Sequence, residues 1–129
     1  MLPPGNFLRY VDGEAVTMTS GGEASMKFYL FKLIPPRPSF AQDMTADEAQ
    51  LMRQHSAYWA GLMRQGLVHA FGPVADPKGI YGIAVAELED QSDPQVLGHG
   101  DPVIQANAGF SIEVLPMPSL VTPKTASSR

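Results

Sequence analysis

With 129 residues, 44% of them apolar and 17% charged, the chain is long enough to bury one core without metal or disulfide staples, and no apolar run approaches the roughly 18 residues of a membrane span. Its net charge of −4 comes with nine Lys and Arg scattered singly, so there is no basic stripe to neutralise a phosphate backbone, and neither nucleic acid nor membrane is an expected partner. The absence of cysteine removes disulfides, zinc–thiolate sites and a cysteine nucleophile.

Residues 1–25 mix prolines and glycines, with one short strand-like patch from Phe7 to Val11. They read as an N-terminal extension without the basic start and apolar core of a signal peptide, and a cytoplasmic location is expected. A run of β-formers, MKFYLFKLI, follows and is halted by Pro35 and Pro36, which cannot donate to a central ladder; the first strand of the domain is expected over Lys27–Ile34. After the loop PPRPSFAQDM, Thr45-Ala46-Asp47-Glu48 fits a capping box, in which hydroxyl and carboxylate satisfy each other's orphan backbone N–H groups. A helix should run from there to Gln65, with Gly66 as its stop. Leu67–Val74 and Ile80–Leu88 read as a β-hairpin turned by Ala75-Asp76-Pro77-Lys78-Gly79. Ser92 or Asp93 is placed to cap a short helix reaching His99. Ala108–Leu115 alternates Phe110, Ile112 and Val114 against Ser111 and Glu113, as a half-buried strand does. Residues 119–129 are expected to be a disordered tail.

The order β-α-β-β-α-β predicts an α+β, ferredoxin-like domain over 26–118, an antiparallel sheet with helices on one face. On the first strand Phe28, Leu30 and Ile34 alternate with Tyr29, Phe31 and Leu33, so both sheet faces are apolar. A second copy covering the free face would make a homodimer, a dimeric α+β barrel enclosing a cavity. In a monomer the extension or the tail would have to cover it.

On a helical wheel of about 100° per residue, Leu51, Met52, Tyr58, Trp59, Leu62 and Met63 share one arc about 140° wide with His55 near its centre. A histidine there needs a partner, since an unsatisfied buried polar group costs about 1–3 kcal/mol. A backbone carbonyl is the plainest one, and by itself it makes His55 a packing residue. Trp59, Phe31 and Phe71 are core residues by base rate and line a pocket for an aromatic substrate otherwise. His55, His69 and His99 lack the close spacing of metal ligands, so no metal is expected. His69 should face the side of its strand opposite Val68. Gly79-x-x-Gly82 and Gly98-x-Gly100 lack the strand-to-helix setting of a phosphate loop and read as turns or a kink.

Taken in order, the apolar strand MKFYLFKLI, the helix with His55 before Trp59 and Leu62, Gly66-Leu67 then Gly72-Pro73, and Asp101-Pro102 before a strand ending Val114-Leu115-Pro116 resemble the YCII-related family over residues 26–118. The resemblance implies the dimeric ferredoxin-like barrel, with a catalytic His–Asp dyad whose members match His55 and Asp101. The segment QSDPQVLGHG departs from the family's alanine-rich helix and contains a second Asp-Pro pair, Asp93-Pro94. Asp101 is preferred as the partner because a short helix can begin at Asp93 and end before it. On its own, Asp101 reads as a residue capping a turn or helix end.

In such a pair the carboxylate accepts one ring N–H, fixes the tautomer and leaves the other nitrogen to take or give a proton. The lack of a Gly-x-Ser-x-Gly elbow disfavours a covalent acyl route. The expected function is acid/base catalysis by His55 and Asp101, a proton transfer or elimination on a small cyclic or aromatic molecule held by Phe31, Trp59, Phe71 and Gly72. No cofactor is expected, and the reaction class stays open among lyase, isomerase and hydrolase. A non-catalytic dimeric module that binds or senses a small molecule is the alternative, and a structural homodimer a third.

Overall fold

A computed structural model describes residues 25–123 in full and, before them, the strand backbones of residues 6–11 and 14–19. The first two strands, β1 (Asn6–Val11) and β2 (Glu14–Thr19), pair antiparallel as a separate two-stranded sheet. β1 covers the expected strand-like patch. β2 was not expected, yet the sequence marks it: Asp12-Gly13 stands between two β-forming runs, a strong short-range hairpin signal.

The domain itself runs β3 (Met26–Ile34), α1 (Phe40–Asp43), α2 (Ala46–Arg64), β4 (Val68–Val74), β5 (Tyr81–Glu89), α3 (Pro94–His99), α4 (Pro102–Gln105) and β6 (Ser111–Met117). Its four-stranded sheet has the order β4-β5-β3-β6, with every neighbouring pair antiparallel. This is an α+β, ferredoxin-like fold. β3 lies centrally, which suits its near-continuous apolar run, whereas β4 and β6 are edges. The edges explain how Pro73 and Pro116 sit inside strands, since the N–H each lacks is not needed on the outer side.

Two helices fall outside the sequence expectations. α1 is a single turn, too short for any periodicity, and it buries Phe40 edge-on against Phe110 at 5.1 Å. α4 starts at the Asp-Pro pair read as a turn, with Asp101 as N-cap and Pro102 in its first turn. β6 begins three residues later than expected and extends to Met117. The expectation of a disordered tail falls in part, at residues 124–129, outside the described residues.

The core lies between sheet and α2. The sheet register puts Phe31 opposite Ala84 on one side and Val114 on the other, and all three face the helix. Trp59 and Leu62 of α2 pack with Phe31, Val68, Ala84 and Ala86. The two alanines of β5 let the helix come close, and Phe31 and Trp59 meet at 5.3 Å with rings tilted 58°. Each large apolar side chain so buried stabilises by about 1.5–3 kcal/mol. Met63, at the outer edge of the predicted arc, is exposed.

Candidate active site

α2 begins with the expected capping box: the Thr45 hydroxyl accepts from Glu48 N–H while the Glu48 carboxylate accepts from Thr45 N–H. It stops at Arg64, just before Gln65 and Gly66, and the φ of +82° at Gly66 suits a residue without a Cβ. Between these ends, His55 and Trp59 are four residues apart and therefore point from the same face. The partner face comes from α3 and α4. Asp93 caps α3 by accepting from Gln95 N–H, and past the end of this six-residue helix the chain reaches Asp101. Tyr58 of α2 donates its O–H to Leu97 C=O at 2.6 Å and so ties the end of α3 down onto α2. Burial, and then the negative charge of Asp101, push the Tyr58 phenol up from its ordinary value, which keeps it a donor. Gly100 is required for this approach, because a Cβ there would collide with the Tyr58 hydroxyl.

Asp101 is 0% exposed, and both its oxygens are occupied. Oδ2 lies 2.6 Å from His55 Nδ1 and accepts from Trp59 Nε1–H at 2.7 Å, while Oδ1 accepts from Val103 N–H at 3.0 Å. The Trp59 and Val103 N–H donors and the His55 ring nitrogen thus converge on one buried carboxyl. Asp101 is therefore both the helix cap and the histidine partner, two roles that the sequence presented as alternatives. In the tautomer with Nδ1 protonated, the carboxylate accepts that N–H and the lone pair of the ring lies on Nε2. Among the described residues Nε2 has no partner, and the His55 side chain is 14% exposed.

His55 forms part of the wall of a cavity of about 240 Å³ beneath α2. Phe31, Trp59, Phe71 and Gly72 line it too, so the structure brings all the sequence-predicted site residues except Asp101 to the lining of one cavity, with Asp101 directly behind His55. Met52, Phe40, Phe110 and Ile112 are among its further, mostly apolar, lining residues. Phe40 and Phe110 were missed, because they come together only through the single-turn α1.

Compared with models of protein families, residues 28–118 match the YCII-related domain. The chain belongs to the YCII-related family. No curated protein and no solved structure matches it. The span of the YCII-related domain runs from Phe28 to Pro118 and so contains His55, Asp101 and the whole cavity wall. Outside the site, His69 is exposed and bonds Glu87 Oε1 at 2.7 Å, while Val68 is buried on the opposite side. His99 is exposed, and its carbonyl accepts from Gln105. Among the described residues of the YCII-related chain no group of three or more His, Cys, Asp or Glu could hold a metal ion, and no helix is long and apolar enough to cross a membrane.

Proposed function

We propose that this protein is a small-molecule enzyme in which His55 is the general acid/base and Asp101 its orienting partner. The carrying observation is the 2.6 Å contact between His55 Nδ1 and a fully buried Asp101, with Nε2 left unpartnered on the wall of an apolar cavity. His55 Nε2 takes a proton from an activated C–H of a small cyclic or aromatic substrate. The imidazolium so formed keeps its Nδ1–H on the carboxylate. It then returns the proton to another carbon, completing an isomerisation, or to a leaving group that departs with the electron pair of the broken bond, completing an elimination. Phe31, Trp59, Phe71 and Gly72 hold the ring, and a homodimer closes the free face of the sheet.

The test is solvent exchange at carbon. Small lactones and cyclic ketones are incubated with the protein in D2O, and loss of C–H signal is followed by proton NMR. Wild type should promote exchange of at least one of them, and His55→Gln should slow that exchange by about 10²–10⁴-fold, the usual worth of a positioned acid/base group. Equal exchange in wild type and variant would remove His55 from the chemistry. Binding without exchange or elimination would instead favour a non-catalytic binding or sensing module.

A further inference from the structure

The cavity's charge balance says which molecules it can hold. Among the described residues its lining contains no Lys, Arg, Asp or Glu. Two cations lie against rings of the lining without entering it, Arg37 against Phe40 at 5.4 Å and Lys32 against Tyr81. Arg37 is held by Asp43 and Glu48 at 2.7 Å each. Lys32, on the sheet face away from α2, lies over the ring of Tyr81 at 4.4 Å. The charge in contact with His55 is negative: Asp101, at 2.6 Å behind it. With a neutral imidazole the pair carries −1, and with an imidazolium it carries zero, so in neither state does it present net positive charge. An anion entering this apolar space would shed its hydration with no cation in the lining to pair with.

From this we infer that the cavity selects uncharged, ring-sized ligands that present one hydrogen-bonding or weakly acidic hydrogen to His55 Nε2, and that it rejects carboxylates of the same shape. This rests on the reading of the cavity as the substrate site and narrows the substrate class. The size agrees, because an apolar cavity of about 150 Å³ takes benzene, and about 240 Å³ takes one ring with small substituents. Specificity of this kind comes from what the site refuses as much as from what it contacts.

The probes are 4-methylphenol, uncharged at pH 7.5, and 4-methylbenzoate, anionic there and nearly the same shape. Each is titrated into the full-length protein while the ring signals of His55 and the indole N–H of Trp59 are followed by NMR. The phenol should bind at least tenfold more tightly and move both sets of signals. Ser56→Lys, an exposed position on the cavity wall, supplies the missing cation and should narrow the gap by tightening benzoate alone. Benzoate binding as well as the phenol in wild type, with His55 responding, overturns the charge selection and leaves the acid/base reading standing. A gap unchanged in Ser56→Lys overturns its electrostatic cause. Absence of phenol binding overturns the inference as well, and the exchange assay, read separately, then decides whether His55 is a base at all.

Discussion

At the scale of single residues, the site turns on one carboxylate that serves three donors. A satisfied buried histidine and a catalytic one both need a partner, and the sequence alone left the choice between a backbone carbonyl and Asp101. The signal that could have strengthened it is the four-residue spacing of His55 and Trp59, which places two N–H donors over one acceptor. Asp101 is so embedded that its replacement must disturb the fold whatever its chemistry, so the useful contrast lies between its two side-chain donors. Trp59→Phe keeps most of the ring but deletes the N–H to Oδ2. It should lower stability by about 1.5–3 kcal/mol, the range for a hydrogen bond to a charged group, in a urea melt. His55→Gln should cost less, because Gln can still donate and the position is part-exposed, while activity falls far more. The reverse order, with His55→Gln the more destabilising, would mean that His55 holds the fold together and Trp59 merely fills space.

At the scale of elements, the strands of the domain and the long helix were legible because their patterns are long enough to repeat. α2 was readable at both ends, from Thr45 through Glu48 to Gly66, and β3 from a run of β-formers closed by two prolines. α1 and α4, four residues each, were not: a single turn has no period, and α4 exists because Asp101 and Pro102 supply a cap and a fixed φ. The same Asp-Pro pair at Asp93 and Pro94 opens α3, so the duplicated motif that obscured the histidine's partner is a duplicated helix start. The loop before α2 is pinned by charge. Arg37 bonds both oxygens of Glu48 and also Asp43, and its guanidinium holds the Glu48 carboxyl down from an ordinary value of 4.5 to about 2. A depressed carboxylate stabilises the fold above its ordinary value and ceases to do so as pH falls through its folded value. The melting-temperature advantage of wild type over Arg37→Met should therefore be full at pH 6 and shrink as the pH falls from about 4.5 toward 2. An advantage that is the same at pH 6 and pH 2.5 would show that the cluster is not ionic in its effect.

At the scale of the whole molecule, the sheet has two faces and the helices cover one. Trp59, Leu62 and the alanines of β5 explain the covered side. On the other, Phe28 and Leu30 of β3 stand beside Val85 and Ile83 of β5, and Leu115 of β6 is 44% exposed. This is the face whose apolar character was already visible in the alternation of β3, because a strand buried on one side only would carry polar residues at every second position. Lys32, Glu87 and Glu113 interrupt it, with the Lys32 ammonium laid over Tyr81. An apolar patch of this kind on a sheet is seldom left to water. A second copy meeting it through a two-fold axis would bury the same residues on both sides, which is the self-complementary arrangement most homodimers use. Multi-angle light scattering at micromolar concentration should accordingly give twice the 13.9 kDa of the chain. Leu30→Glu, which places a carboxylate at the centre of that face opposite Val85, should return the mass to that of one chain while far-ultraviolet circular dichroism keeps the α+β signature, since Leu30 points away from the core. A wild-type mass of 13.9 kDa would rule the dimer out. A Leu30→Glu variant that keeps the double mass would move the interface elsewhere, and with it any closure of the sheet into a barrel.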